Sequence, residues 1–184
     1  MVFQTDRLVI RKAVPSDDDV EFFYRLWTDP KVMVNVGFPY GLKITREAIR
    51  SGFEEQGTNE FKTRLVVELK TTGEPIGECK LGQPDDDGIC ETDVKLRPEF
   101  WGKGYGTEIK QGLVDYLFTY TDCKAVKASP NKKNIASQRM QEKVGGKRVG
   151  EHTYRFPEEM RAYTFEVESY IYMVFREDRE RLKK

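Results

Sequence analysis

Seven residues carry the most chemical information in this chain: Trp101-Gly102-Lys103-Gly104-Tyr105-Gly106-Thr107, lying between a strand-like run and an amphipathic helical run. Alternating glycines let the backbone curl so that the N–H groups from Gly102 to Thr107 converge. The helix that follows adds its own unpaired N–H groups and positive dipole end. Such a turn can hold a pyrophosphate, although a plain chain reversal would use the same glycines. A Walker A loop is excluded because Lys103 is followed by Gly104. A dinucleotide fingerprint is excluded by the interval between the last glycines, and by a next strand that ends at Ser129-Pro130 rather than at an acid. On the strand before the loop, Glu91 and Asp93 share one face. A carboxylate there can act as a general base or simply join a cross-strand ion pair. His152, the one histidine, sits in the alternating run Gly150–Tyr154 and reads as a surface or packing residue. A Ser–His or Cys–His nucleophile pair would have to use it.

Several elements must position this loop. Arg7–Arg11 alternates like an opening strand. Ser16, followed by three aspartates, reads as a helix cap, with the apolar stripe Val20, Phe23, Tyr24, Trp27 and a stop at Asp29-Pro30. Thr45 caps a second helix ending near Gly57, and Leu65–Leu69 and Pro75–Leu81 read as strands. Asp85-Asp86-Asp87-Gly88 lacks the ligand series of an EF-hand and predicts a hairpin turn. A strand from about Ile89 to Leu96 follows. The helix beginning at Tyr105 presents Ile109, Leu113, Tyr116, Leu117 and Tyr120 on one face. Ala125–Ser129 is a short strand, and Asn134 caps a helix whose inward face takes Ala136, Met140 and Val144 before Gly145-Gly146. Lys147–Tyr154 and Tyr163–Phe175 read as strands, and Arg176–Lys184 as a short charged helix or a frayed tail. This order is not a strict βα repeat. It predicts a mixed, largely antiparallel sheet flanked by helices, α/β in the broad sense and α+β in detail.

A length of 184 residues predicts one domain spanning residues 1–184. With 31 basic and 31 acidic residues the formal charge is zero, which argues against non-specific nucleic-acid binding. The mean hydropathy of −0.66 and the lack of a long apolar run argue against a membrane span. The N-terminus lacks the basic start and apolar stretch of a secretory signal, so a cytoplasmic location is expected. Cys79, Cys90 and Cys123 are too widely spaced for CxxC chemistry and read as reduced thiols. With one histidine, no metal site is expected.

The loop, its flanking strand and the later helix together resemble the GNAT superfamily of acyl-CoA-dependent N-acetyltransferases. The segments that carry the resemblance are Thr5–Arg11, Trp27–Met33, Glu91, Pro98–Glu108 and Asn134–Gly145. Within that superfamily the chain is most similar to the branch of ribosomal-protein N-terminal (alanine/serine) acetyltransferases. The resemblance implies the GNAT fold, acetyl-CoA as co-substrate, no metal, and direct transfer of an acetyl group to a primary amine. The acceptor so implied is a protein N-terminal α-amine; a small amine such as an aminoglycoside or polyamine is the alternative. A module that binds acyl-CoA without turnover is the rival from outside the enzymes.

The resemblance also distributes roles. Gly102, Lys103, Gly104, Tyr105, Gly106 and Thr107 take the pyrophosphate, with Trp101 where glutamine or arginine is usual. Glu91 is the first choice as base and Asp93 the second. A backbone N–H at Lys95 or Leu96 faces the thioester oxygen. Asn134 meets the pantetheine arm while also suiting a helix cap. Ser137, in the Asn-x-x-Ser pattern of that branch, is the candidate to protonate the leaving thiolate or else a cap-region hydroxyl, while Met140 stands where many relatives carry a tyrosine acid and methionine has no proton to give. Arg139, with Lys103, Lys132 and Lys133, can reach phosphate. Trp27, Asn35, Phe38, Tyr40 and Tyr154 are the candidates for lining the acceptor cleft, for the core, or for a homodimer seam.

Overall fold

The structure, a computed structural model, describes residues 1–181. Its strands are β1 (Phe3–Gln4), β2 (Leu8–Lys12), β3 (Leu65–Leu69), β4 (Pro75–Leu81), β5 (Ile89–Leu96), β6 (Ala125–Ala128), β7 (Lys147–Tyr154) and β8 (Val167–Phe175). Helices α1 (Asp17–Thr28), α2 (Pro30–Met33) and α3 (Arg46–Glu55) precede β3; α4 (Tyr105–Tyr120) follows β5, α5 (Ile135–Lys143) follows β6, and α6 (Arg176–Arg181) follows β8. One sheet holds the strands in the order β1-β2-β3-β4-β5-β6-β8-β7. Every neighbouring pair is antiparallel except β5 and β6. This is the mixed, mostly antiparallel sheet that the order of elements predicts.

Local chemistry sets the boundaries. The Ser16 hydroxyl accepts the Asp19 N–H, and the first turn of α1 carries three aspartates that suit the dipole. Pro30 begins α2, with Asp29 as its cap. In the turn before β5, Asp85 Oδ1 accepts from the N–H groups of Asp87 and Ile89, and Gly88 takes a φ of +77°. Arg176 pins the last helix, donating to the carbonyls of Cys123, Phe118 and Thr121.

Two apolar clusters form. One packs Leu8, Leu65, Leu81 and Cys90 of the sheet against Ile109, Leu113 and Leu117 of α4; the other gathers Phe23, Leu26, Ile49 and Phe53 of α1 and α3 over Val66. Burial pushes the Cys79 thiol well above its usual range and raises that of Cys90 to about 12, so neither is a ready nucleophile.

Some elements depart from expectation. β1 is too short to show a period. Tyr163–Glu166 are not strand: Phe165 donates to the Gly37 carbonyl and packs on the α1–α3 cluster before β8 begins at Val167. On α4, Tyr120 is exposed, whereas Lys110 and Val114 are buried. On α5, Val144 packs inward, but Ala136 is exposed and Met140 is half-buried at the rim of a cavity. The tail is helical over Arg176–Arg181, and residues 182–184 lie outside the described residues.

Candidate functional site

β5 and β6 are paired only where Ile89–Glu91 meet Ala125–Lys127, and beyond that point they part. The opening is the wall of a cavity of about 530 Å³. Its polarity follows from strand register. Gly82 N–H donates to Glu91 O and Arg97 N–H to Ile76 O, while Lys80 faces Asp93 and Glu78 faces Lys95. Odd-numbered residues of β5 therefore spend their backbone groups on β4, and Thr92, Val94 and Leu96 aim theirs toward the gap. The Val94 N–H is taken by Asp93 Oδ1 at 3.0 Å, and the Leu96 carbonyl by the Trp101 indole at 2.9 Å. The Leu96 N–H is left facing the cavity, whereas that of Lys95 belongs to the ladder with β4.

At the mouth, Gly102 and Gly104 take φ values of +72° and +82°. Gly104 caps α4 with no side chain to satisfy the first helical N–H groups, so those of Tyr105, Gly106 and Thr107 remain free for an anion. All five of these residues line the cavity. Lys103 does not: its carbonyl accepts from Arg7 at 3.1 Å, and its ammonium lies 5.3 Å over the Phe100 ring. Glu108 is turned away from the mouth, bonded to the Thr5 hydroxyl at 2.6 Å and to Arg7. Trp101 acts through its indole on Leu96, which ties the loop to the strand end. Trp101→Phe is expected to raise the Kd for CoA several-fold and to lower stability by about 1 kcal/mol, the worth of one neutral hydrogen bond; titration calorimetry and urea unfolding check the two effects.

Across the cavity, α5 supplies Asn134, Ser137, Arg139 and Met140 to the lining. Asn134 Oδ1 accepts the Ser137 N–H at 3.1 Å, so Asn134 is a helix cap, and the Ser137 hydroxyl is only half-buried. Helices α4 and α5 approach closely, since a Cβ on Gly106 would lie 3.2 Å from Met140 Sδ. Lys132 is engaged elsewhere, with Glu151, and neither it nor Lys133 lines the cavity.

The two strand acids separate. Glu91 lies outside the cavity, 58% exposed and ion-paired with Lys127 at 2.7 Å. The strands are still paired at that level, and Lys127 is the residue directly across. Asp93, two residues on, is past the point of separation and lines the cavity. Its carboxylate is bonded to the Lys95 ammonium, which also meets Glu78 at 3.2 Å; Glu78 in turn accepts the Trp27 indole N–H at 2.8 Å. Burial works against charge on Asp93, but Lys95 and the Val94 N–H outweigh it and hold the carboxyl below the usual range. Burial likewise opposes charge on Lys95, and Asp93 and Glu78 outweigh it upward.

Of the residues considered for the acceptor side, only Asn35 lines the cavity. Trp27 is buried against Glu78, Phe38 meets Phe156 edge to face at 5.1 Å, Tyr40 is exposed, and Tyr154 is half-exposed against Phe156. Two buried charged groups at the site, Glu78 and Lys110, escaped sequence reasoning. Glu78 alternates like any strand acid and gives no signal. Lys110 did give one, because it stands three, four and seven residues before Leu113, Val114 and Leu117 on the buried stripe of α4. Among the described residues no cluster of metal-binding side chains occurs, and no helix is long and apolar enough to cross a membrane.

The family model described as the acetyltransferase (GNAT) domain matches residues 7–147. An uncharacterized N-acetyltransferase, p20, of Bacillus licheniformis is 30% identical over 136 residues, 72% of this chain and 75% of that protein. Among solved structures, spermidine N-acetyltransferase from Vibrio cholerae in complex with CoA and spermine superposes with a TM-score of 0.74 at 18% identity, covering 93% of this chain and 96% of that one. Aminoglycoside acetyltransferase AAC(6')-Ib in complex with coenzyme A superposes with a TM-score of 0.71 at 20% identity, covering 96% and 99%. At these identities the two superpositions speak for the fold.

Proposed function

This chain belongs to the GNAT acetyltransferase family, and from that premise we propose that it moves an acetyl group from acetyl-CoA directly to the α-amine of a peptide or protein N-terminus. Acetyl-CoA supplies the activated thioester. The residues present fit it: the mouth offers free N–H groups around two left-handed glycines, and the gap between β5 and β6 offers an unpaired strand edge. Gly102, Gly104, Tyr105, Gly106 and Thr107 bind the pyrophosphate through backbone N–H groups, with Arg139 at the rim. The Leu96 N–H donates to the carbonyl oxygen as charge builds on it. Asp93 receives the proton shed by the acceptor nitrogen, directly or through water. Glu91 takes no part. Ser137 donates a hydrogen bond to sulfur.

The observation that favours an α-amine over a polycation is the charge of the cavity wall. One acid, Asp93, lines it, and its carboxylate is already paired with Lys95. Spermidine and aminoglycosides carry several positive charges and would find no free carboxylate there. An α-amine brings one group with a reference pKa of about 8, against about 10.4 for a lysine side chain, and needs only a weak base. The second reading, a small-molecule amine as acceptor, draws on the spermidine and aminoglycoside enzymes that share the fold.

A CoA-thiol release assay across peptides, aminoglycosides and polyamines tests the proposal. Peptides with free N-termini should turn over and their Nα-blocked counterparts should not. Faster turnover of spermidine or kanamycin would reassign the acceptor, and silence across the panel would leave a non-catalytic acyl-CoA-binding module. Ser137→Ala should lower kcat about tenfold, the worth of one hydrogen bond to a charged group, with the Kd for CoA unchanged. An unaltered kcat would remove Ser137 from the reaction.

A further inference from the structure

The most buried polar side chain lining the cavity, Lys110, has no part in the transfer so far described. Lys110 sits one helical turn beyond Gly106 on the face of α4 that looks across to α5. Met140 Sδ lies against Gly106, and Met140 and Lys110 both line the cavity. Only 1% of Lys110 is exposed, yet it lines the cavity, and its Nζ donates to the Thr92 hydroxyl at 2.5 Å. Thr92 is the first residue of β5 beyond the paired segment, and its hydroxyl reaches the Lys127 carbonyl at 3.4 Å. The ammonium is thus held at the vertex where the two strands part.

We propose that Lys110 returns a proton to the coenzyme A sulfur, supplying the acid that Met140 lacks. The inference rests on the acetyltransferase reading. The thioester C–S bond breaks and its electron pair goes to sulfur; the Nζ–H bond breaks, S–H forms, and Lys110 is left as a neutral amine. The proton shed by the acceptor nitrogen goes to Asp93 or water, and Lys110 regains its own from solvent through the cavity. Ser137 steadies the sulfur by a hydrogen bond but keeps its own proton.

The electrostatic setting suits this role. The other charged groups lining the cavity are Asp93 and Lys95 from β5 and Arg139 and Lys143 from α5. Asp93 and Lys95 lie with Glu78 of β4 on the sheet face toward Trp27, opposite the face where Thr92 meets Lys110, and β1 carries no charged residue. Burial lowers the pKa of Lys110 to about 7, with only Asp93 pulling it back up. An ordinary lysine, at about 10.4, is a weaker acid than a thiol at about 8.5 and would give up its proton uphill. Lys110 gives it downhill, and at neutral pH about half the molecules hold it charged.

Two measurements on Lys110→Met and Lys110→Arg test the assignment. The first needs no turnover: calorimetry of CoA binding at pH 7 in two buffers of different ionisation enthalpy counts the protons taken up. If CoA raises the Lys110 pKa by one unit, wild type takes up about 0.4 proton more than either variant. Equal proton counts would overturn the proposal. The second is the pH profile of kcat with an acceptor that wild type acetylates. Both variants should lose at least tenfold in kcat, together with the fall of rate on the alkaline side. Arginine keeps the positive charge but cannot release a proton, so a Lys110→Arg enzyme with wild-type kcat would show that charge alone is needed. Wild type inactive on every amine, yet with the Lys110-dependent proton uptake intact, would count against the transferase reading and not against Lys110 as the proton-exchanging group.

Discussion

Replacing Gly104 by valine is expected to raise the Kd for acetyl-CoA at least about a hundredfold. Gly104 holds a φ of +82° at the cap of α4, and its missing Cβ would lie no nearer than 3.4 Å from the Arg7 guanidinium. Crowding is therefore not what valine would suffer. A β-branched residue in the left-handed region costs about 1–3 kcal/mol, and the loop escapes that cost by rotating toward negative φ. The rotation turns the N–H groups of Tyr105, Gly106 and Thr107 away from their common focus. Each charge-assisted hydrogen bond to phosphate is worth about 1.5–3 kcal/mol, so losing two suffices for the hundredfold. Because α4 carries the core residues Ile109, Leu113 and Leu117, thermal unfolding must accompany the titration. A folded Gly104→Val protein that binds within threefold of wild type would refute the placement of the pyrophosphate. Gly104→Ala, with a smaller strain, should fall between the two.

Asp93→Asn is expected to lower kcat/KM by about 10²–10⁴, the range for loss of a positioned general base. Glu91→Gln should leave it within about twofold of wild type, since Glu91 is occupied by Lys127 outside the cavity. The reverse ranking would restore Glu91 as the base. Asp93 is held below the ordinary carboxylate range and is ionised throughout the neutral region. Read in Lys110→Met, where the alkaline fall is absent, the rise of kcat/KM with pH should then follow the acceptor, with its midpoint near about 8 for an α-amine and about 10.4 for a lysine-like amine. The same depressed pKa bears on stability. The folded state binds the Asp93 proton less readily than the unfolded chain, so its contribution is present above about pH 3.9 and lost as pH falls below it. Acid titration of the melting temperature should show a shallower drop in Asp93→Asn than in wild type.

Much of this architecture was legible from local chemistry. Ser16, Thr45 and Asn134 each cap the helix that their residue type announces. The glycine-rich loop stands at the mouth of the cavity, where its backbone can meet an anion. These features depend on neighbours within a few residues, which is the range over which caps, turns and strand alternation act. The burial of Lys110 was half-legible. Its spacing from Leu113 and Val114 puts it on the apolar stripe, but a lysine in such a position ordinarily reaches along the surface to water.

The choice between Glu91 and Asp93 lay beyond the sequence. Alternation puts both on one face, and nothing local marks the residue at which β6 stops accompanying β5. That point is set by pairing between segments more than thirty positions apart, and it hands one acid to Lys127 and the other to the cavity. The same long-range pairing leaves the Leu96 N–H open, closes that of Lys95, and lodges an ammonium at the vertex. The sequence by itself determined the elements, the family resemblance and the loop that can hold a pyrophosphate, because these follow from residue type and near spacing. Tertiary structure decided which titratable groups share the cavity, because charge and burial act through space between strands and helices that the chain order keeps apart.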